Sequence, residues 1–348
     1  MLLVVPQGSG AHAAPTAQLA DEHGVSSPLD LDTMSHSTVR RMTTSPDPLT
    51  SQDTRTPVAL TRDSVTLDGL ERTSTVLGST DSPAARPLVL VFHGSRQDAD
   101  SHRRFTHDAL LPLAASGQAV VAYLNGYRGN WNDARRESAF PARLRGVDDV
   151  AFARIMVDRL SASHGIDPHR VVTVGYSNGG QMVLRLLHEA PELVAAAVIV
   201  AATMPTPESF LSSETAPPAR PTPIALVHGT HDRIVPFDGG TMSWWARRMF
   251  RVGGRTLSAP DTAAYLAARN GIVGRPELQP LPHLATSHGR TSVVRTRYSA
   301  PDAPDVTLYE VRGGGHTIPG REPSPRVVGR TTGDITLEDL VAEAVRRS

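Results

Sequence analysis

The 348-residue sequence contains neither cysteine nor lysine. Without cysteine, the chain can form no disulfide, no thiolate metal site and no cysteine nucleophile. Without lysine, it can use neither a Schiff base nor a serine–lysine dyad, and all 35 of its basic side chains are arginine. Thiolate metal sites, cysteine nucleophiles, lysine Schiff bases and serine–lysine dyads are therefore excluded before any motif is considered.

An excess of charge and long apolar runs are also missing. The 35 basic side chains balance 35 acidic ones, so the net charge of +0 recruits neither nucleic acid nor an anionic membrane surface. No apolar run approaches the roughly 20 residues that a membrane-spanning helix needs. Residues 1–14 resemble the end of a signal peptide but lack a basic segment, and their apolar run is short. The localisation is therefore left open, and a cytoplasmic protein is one of the alternatives.

The composition changes near residue 57. Residues 1–56 are rich in Ser, Thr, Pro, Asp and Ala without apolar periodicity, which predicts a flexible or disordered N-terminal extension. In residues 57–348, short apolar runs alternate with helical spacing, which predicts one α/β domain with a doubly wound, mostly parallel sheet flanked by helices. Strands are predicted at 58–61, 64–67, 73–77, 87–94, 119–123, 194–202, 224–229, 293–298 and 306–311, and helices at 147–163 and 334–347, the last one capped by Thr336.

The segment Gly-Tyr-Ser-Asn-Gly at residues 175–179 follows a β-branched run and precedes residues with helical spacing. A strand, a sharp turn and a helix with a serine at the apex are typical of a nucleophile elbow. The glycines allow a strained backbone and a close approach between neighbouring segments. Ser177 is therefore the candidate nucleophile.

Candidate partners of Ser177 follow later strands. In open α/β sheets, ligands bind at the carboxyl ends of the strands, and Asp232 and His316 both stand just after such ends. The order serine, acid, histidine is that of the α/β-hydrolases. We predict that His316 takes the proton of Ser177 and that Asp232 orients the imidazole, with Asp238 as a reserve candidate.

An acyl-transfer site also needs two backbone N–H donors for the oxyanion. One is predicted at Asn178, directly after the nucleophile, and the other at Ser95 or Arg96, in the loop after the first central strand. His93 and His228 each precede a glycine at a strand end. We interpret them as packing and hydrogen-bonding residues rather than as second bases.

Four aromatic side chains are candidate substrate contacts, namely Trp131, Trp244, Trp245 and Tyr176. The tryptophans have two interpretations, because they can belong to the core or a lid, or can line a groove for a flat or polymeric substrate. The less regular region 239–300 is a candidate lid or substrate region. The remaining histidines lack the spacing of metal ligands, so no metal is expected.

Several further segments carry a resemblance to one group of enzymes. They are His93-Gly94 with Gln97-Asp98, Asn130-Trp131-Asn132-Asp133, Val147-Asp148-Asp149-Val150, His228-Gly229-Thr230-His231-Asp232, and Gly314-Gly315-His316-Thr317-Ile318-Pro319-Gly320. Together with the elbow, they resemble the polyhydroxybutyrate depolymerase/feruloyl esterase (LpqC-like) family of α/β-hydrolases, from about residue 57 to the C-terminus. The resemblance implies a triad of Ser177, Asp232 and His316 and carboxylic ester hydrolysis without a cofactor.

The sequence departs from this family pattern in three respects. Ile272 stands where members often carry cysteine, and Ile318 replaces the tryptophan of a His-Thr-Trp-Pro-Gly segment. Members are usually secreted, whereas this chain has no convincing signal peptide. The first two departures leave the chemistry intact, but the resemblance no longer establishes the aromatic subsite expected beside His316 or an extracellular location.

We therefore expect a serine esterase that forms an acyl-enzyme. Its substrate would be a small-molecule or oligomeric ester, of the feruloyl or the hydroxyalkanoate type. An acyl hydrolase or acyltransferase of secondary metabolism is one alternative. A catalytically silent hydrolase fold used as a binding module is another, although the presence of all three triad residue types in order argues against it.

Overall fold

The structure, a computed structural model, describes residues 58–80, 85–211, 217–284 and 290–348. The predicted extension at 1–56 lies outside the described residues. The strands are β1 Leu60–Leu67, β2 Leu70–Leu77, β3 Arg86–Phe92, β4 Val120–Leu124, β5 Ile166–Tyr176, β6 Ala196–Val200, β7 Ile224–Gly229, β8 Glu277–Pro280, β9 Ser292–Ala300 and β10 Ala303–Arg312. The helices are α1 Ala99–Phe105, α2 Leu111–Ala115, α3 Pro141–Arg145, α4 Asp149–His164, α5 Asn178–Glu189, α6 Trp244–Phe250, α7 Ala259–Arg269 and α8 Leu337–Arg347.

These ten strands form one sheet in the order β1-β2-β4-β3-β5-β6-β7-β10-β9-β8. The six central strands, from β4 to β10, pair in parallel, and both margins of the sheet are antiparallel. The predicted α/β-hydrolase fold, with a mostly parallel sheet flanked by helices, is confirmed. The chain runs from β3 to β4 on one side and then returns to place β5 on the other side of β3. The carboxyl ends of β3 and β5 therefore flank the topological switch point, where open α/β sheets bind ligands.

Each face of the sheet is buried under helices, because side chains alternate between the two faces along every strand. On β3, Leu88, Leu90 and Phe92 belong to one cluster of buried side chains, whereas Val89 and Val91 belong to a second. The first cluster includes residues of α4, α5 and α7, and the second includes residues of α1, α2 and α8. No helix in the described part of the chain has the combination of length and apolar character required to cross a bilayer.

Some strand boundaries in the structure differ from the predicted ones. The predicted strands at 58–61 and 64–67 are one strand, because β1 pairs with β2 along its whole length, from Leu60 with Leu77 to Leu67 with Leu70. The closing helix is confirmed, and Thr336 caps it by accepting a hydrogen bond from the backbone N–H of Asp339 at 3.1 Å.

The region 239–300 does not behave as one unit. Ala263 and Leu266 of α7 are buried in the core, and β9 pairs with β10 in the sheet. Among the described residues of this region, Met242 and Phe250, which precede α7, line the pocket at Ser177. The lid hypothesis stays a prediction for that first segment.

Two buried histidines make acid sensitivity of the fold a testable prediction. Burial lowers the pKa of His93 to about 4 and that of His102 to about 3. An unfolded histidine titrates near pH 6.5, so the unfolded state binds more protons below that pH. The free energy of unfolding should therefore fall as the pH drops from about 6.5 towards 4, by up to ~1.4 kcal/mol per pH unit for each histidine. Denaturant unfolding at a series of pH values measures this slope.

In His102→Gln, the free energy of unfolding should depend less steeply on pH, because one of the buried histidines no longer takes up a proton on unfolding. His169 is exposed, so His169→Gln is the matched control and should unfold with the slope of the unaltered protein. A slope in His102→Gln equal to that of the unaltered protein would contradict the assignment.

Candidate active site

The turn between β5 and α5 holds Ser177 in a strained backbone conformation. Its φ of 54° and ψ of −114° lie where residues with a side chain are rarely found. A Cβ on Gly175 would overlap the carbonyl oxygen of Gly179, and a Cβ on Gly179 would overlap that of Phe92 at the end of β3. Glycine at both positions therefore allows the turn and lets α5 begin directly against the sheet.

The structure brings Ser177, His316 and Asp232 into one chain of hydrogen bonds. Ser177 Oγ lies 2.9 Å from His316 Nε2, and His316 Nδ1 lies 2.7 Å from Asp232 Oδ2. Since the carboxylate can only accept, Nδ1 carries the proton and Nε2 is free to accept from the serine hydroxyl. The three residues come from the ends of β5, β10 and β7, as the strand-end argument predicts.

Asp232 is held as an oriented carboxylate. Its Oδ1 accepts hydrogen bonds from the backbone N–H groups of Ile234 at 2.8 Å and Val235 at 2.9 Å. Burial opposes its ionisation, but the charge and the hydrogen bond of His316 outweigh burial, and the pKa of Asp232 lies below its usual value. The carboxylate is therefore ionised at neutral pH and can stabilise an imidazolium at His316. The reserve candidate Asp238 is exposed.

The two histidines interpreted as structural occupy structural positions. His93 Nε2 accepts from the backbone N–H of Gly126 at 2.9 Å, and its Nδ1 donates to the carbonyl of Gly94 at 2.7 Å. His228 Nε2 lies 2.9 Å from the carbonyl oxygen of Val235, and burial lowers the pKa of its imidazole. Both rings are buried and bonded to backbone groups, and His316 is the histidine that lies within hydrogen-bond distance of Ser177 Oγ, so neither ring takes its place as a base.

The backbone geometry distinguishes between the candidate oxyanion donors. The Arg96 N–H donates to the carbonyl of Gly129 at 2.7 Å, so the prediction that it serves the oxyanion is wrong. In the described part of the chain, the N–H groups of Ser95 and Asn178 form no hydrogen bond. Ser95 therefore remains, with Asn178, as the candidate pair of donors. The Arg96 side chain instead donates to the carbonyl of Met249 in α6, at 2.9 Å.

The side chain of Asn178 ties the elbow to the loop before α3. Its Oδ1 accepts from the Trp131 backbone N–H at 2.9 Å, and its Nδ2 donates to Asp133 Oδ2 at 2.5 Å. Asp133 is fully buried and forms a salt bridge with Arg135. These contacts fix the residue whose N–H is a candidate oxyanion donor.

Two of the four predicted substrate contacts are corrected by burial. Trp131 is fully buried in the core and donates from Nε1 to the His93 carbonyl at 2.9 Å, so it cannot line a groove. Tyr176 is buried too, and its hydroxyl donates to the His316 carbonyl at 2.7 Å while its ring packs 5.2 Å from the imidazole. Both residues position the site instead of contacting a substrate.

The other two tryptophans lie on the surface side of the site. Trp244 is 72% exposed, and Trp245 is half-buried. Trp245 lines a pocket of about 540 Å³ that His316 also lines. Trp245 therefore stays a candidate substrate contact, whereas Trp244 lies in the exposed part of α6.

A second, narrow pocket of about 20 Å³ opens at Ser177. Besides Ser177, it is lined by Ser95, Arg135, Phe140, Gln181, Ala201, Ala202, Ile234, Val235, Met242 and Phe250. Sequence reasoning did not identify Arg135 or Gln181. One feature of the sequence could have indicated Gln181. It is a polar residue one helical turn after the nucleophile, and the residues of α5 that follow it are largely apolar.

Comparisons with known proteins find relatives among esterases. A Phospholipase/Carboxylesterase family model matches residues 148–246. Over 275 residues, the chain is 32% identical to "Putative esterase NocK" of Nocardia uniformis subsp. tsuyamanensis, and the match covers 76% of each chain. Over 163 residues, it is 28% identical to Feruloyl esterase B of Piromyces equi. That second match covers 47% of this chain and 29% of the fungal protein.

Among solved structures, the acetyl xylan esterase from Aspergillus awamori has a similar fold. The match covers 83% of this chain and 100% of that one, with a TM-score of 0.55 and 14% sequence identity. At that identity, the likeness concerns the fold alone.

The anchoring of Asn178 leads to a prediction about reactivity at Ser177. In Asn178→Ala, the backbone N–H remains but loses its anchor, and the buried N–H of Trp131 loses its partner. We expect the free energy of unfolding to fall by about 1–3 kcal/mol. The rate at which a fluorophosphonate labels Ser177 should fall about tenfold, because the oxyanion donor is less well oriented.

Asn270 provides the matched control for this variant. It is a buried asparagine that bonds both backbone groups of Thr222, far from the elbow in the sequence. Asn270→Ala should lose similar stability and keep the labelling rate. An Asn178→Ala protein that loses stability but is labelled at the full rate would reduce Asn178 to a structural role.

Proposed function

The chain belongs to the polyhydroxybutyrate depolymerase/feruloyl esterase family of α/β-hydrolases, and on that premise we propose that Ser177, His316 and Asp232 are the triad with which it hydrolyses carboxylic esters. The observation that supports this most is the continuous chain of hydrogen bonds from Ser177 Oγ through His316 to Asp232 Oδ2. A serine hydroxyl is too weak an acid to attack an ester unaided, and the adjacent neutral Nε2 supplies the base.

In the first half of the reaction, Ser177 Oγ attacks the ester carbonyl carbon as His316 Nε2 takes the hydroxyl proton. The carbonyl oxygen becomes an oxyanion and accepts hydrogen bonds from the N–H groups of Asn178 and Ser95. The N-terminal end of α5 adds a favourable dipole for negative charge. Collapse of the tetrahedral intermediate expels the alcohol, which receives its proton from His316, and leaves the acyl group on Ser177.

In the second half, water replaces the alcohol. His316 takes a proton from the water molecule, which attacks the acyl carbon, and the same donors hold the second oxyanion. The intermediate then collapses and releases the carboxylic acid, and His316 returns the proton to Ser177 Oγ. Asp232 stays ionised throughout, so the imidazolium of His316 is stabilised in both halves.

We extend the proposal to two substrate classes, feruloyl-type esters and esters of hydroxyalkanoates. Feruloyl esterase B, among the relatives, supports the first class by its name. We assign the alcohol portion of the substrate to the larger pocket, which His316 and Trp245 both line. A turnover panel of p-nitrophenyl acyl esters, methyl ferulate and hydroxybutyrate oligomers distinguishes the classes, and an added alcohol shows whether acyl transfer competes with hydrolysis.

The proposed base is tested by replacing His316. In His316→Ala, kcat for p-nitrophenyl acetate should fall by about 10⁴-fold or more, because serine, base and acid act as a unit. In Ser177→Ala, kcat should fall by the same factor, and the protein should no longer react with a fluorophosphonate probe. Initial rates with active-site titration of the unaltered protein measure both effects.

The control is His188→Ala, which removes a histidine from the same helix that carries the elbow. His188 bonds Leu184 and Tyr265 and does not line the pocket at Ser177, so its loss should change kcat by no more than a few-fold. Near-normal turnover by His316→Ala would show that another group is the base and would overturn the assignment. Absence of labelling in the folded, unaltered protein would overturn the triad itself.

A further inference from the structure

The narrow pocket at Ser177 contains a buried hydrogen-bond acceptor without a partner. Gln181 is 2% exposed, and its Nε2 donates to the Thr203 carbonyl at 2.7 Å. This bond fixes which end of the amide is nitrogen, since a carbonyl can only accept. Gln181 Oε1 is consequently buried and forms no hydrogen bond in the described part of the chain. An unpaired buried acceptor destabilises the folded protein, but in a catalytic pocket it can accept a hydrogen bond from a bound substrate.

A hydrogen-bond donor lines the same pocket. Arg135 is 7% exposed and directs Nε and Nη2 to the carboxylate of Asp133. Among the described residues, nothing accepts a hydrogen bond from its Nη1. The guanidinium also lies 5.6 Å from the ring centre of Phe140, another residue of the pocket. Because Asp133 neutralises the charge, Nη1 offers donors without presenting an uncompensated cation to the substrate.

The remaining wall restricts what can fit between these two groups. Most of it is apolar, and the cavity volume is about 20 Å³, which is close to the space of one small polar group. This space can take the polar substituent of an acyl chain attached to Ser177 when the substituent meets Gln181 and Arg135.

We propose that Gln181 and Arg135 bind a free hydroxyl group on a short acyl chain attached to Ser177. A hydroxyl donates to Gln181 Oε1 and accepts from Arg135 Nη1, so it satisfies both groups at once. A keto group only accepts, and an ammonium group only donates and would lie against the guanidinium. The proposal rests on the triad function proposed above and selects hydroxyacyl esters over feruloyl esters.

The free hydroxyl has a consequence for oligomers of hydroxyalkanoates. In such a chain every internal hydroxyl is esterified and can no longer donate, so only the hydroxyl-terminal unit carries the group that Gln181 requires. The enzyme should therefore cleave the ester bond next to the hydroxyl terminus and release one hydroxy acid per turnover.

The test compares esters that differ only at this substituent. Ethyl butyrate, ethyl 2-hydroxybutyrate, ethyl 3-hydroxybutyrate and ethyl 3-methoxybutyrate are hydrolysed under identical conditions. We expect kcat/KM for one of the hydroxy esters to exceed that for ethyl butyrate by about tenfold or more, since the unsubstituted chain leaves both polar groups unpaired. The methoxy ester, which cannot donate, should lose most of that preference.

Gln181→Met removes the acceptor while keeping the length of the side chain, and the preference for the hydroxy ester should fall to near unity. The ratio of two substrates in one variant cancels any general loss of activity or of folded protein. Met242→Leu changes an apolar residue of the same pocket and should keep the preference. With the 3-hydroxybutyrate tetramer, monomer and trimer should appear before any dimer, and acetylation of the terminal hydroxyl should slow the cleavage.

Two results would overturn the inference. One is an unaltered enzyme that hydrolyses ethyl butyrate as fast as both hydroxy esters, and the other is a Gln181→Met variant that keeps the full preference. In either case, labelling of Ser177 and turnover of ethyl butyrate would leave the triad function intact. An unaltered protein that is not labelled and hydrolyses none of the esters would overturn the triad function and this inference together.

Discussion

The close approach of α5 to the end of β3 is the constraint on which the site depends. Gly179 lies against the carbonyl oxygen of Phe92, with no room for a Cβ, so the helix can begin immediately after Ser177. This contact forces the positive φ of the serine and places its hydroxyl at the switch point of the sheet. It also brings the first N–H of α5 beside the loop that follows β3, where Ser95 supplies the second candidate donor. One steric requirement thus sets both the nucleophile and the oxyanion site.

The elbow is also braced from the side by a buried polar network. Asn178 joins it to Trp131 and Asp133, and Trp131 in turn donates to the carbonyl of His93 at the end of β3. Because the ring of Trp131 is fully buried, the loop that carries it cannot shift without opening the core. The strain at Ser177 is consequently held by packing and hydrogen bonds from both sides.

The electrostatics of the site separate one working histidine from its buried neighbours. His93 and His228 are neutral because burial disfavours their charged forms, whereas His316 faces the ionised Asp232 through a short hydrogen bond. An imidazolium is therefore stabilised at His316, next to Ser177. The same low-dielectric surroundings make Gln181 and Arg135 effective at selecting a substituent on the acyl chain. A buried polar group favours a substrate that forms a hydrogen bond with it strongly over a substrate that leaves it unpaired.

The sequence by itself determined the α/β architecture, the elbow and the order of serine, acid and histidine, because these depend on local periodicity, on glycine and on strand ends. It left open whether Ser95 or Arg96 is the second oxyanion donor and whether Trp131 belongs to the core or to a substrate groove, and it misassigned Tyr176 to the substrate surface. Those points depend on contacts between segments far apart in the chain. The Arg96 N–H donates to the Gly129 carbonyl. Trp131 Nε1 donates to the His93 carbonyl, and the Tyr176 hydroxyl donates to the His316 carbonyl. Only the tertiary structure decides such pairings, since burial and the choice of hydrogen-bond partner arise when the strands and loops come together.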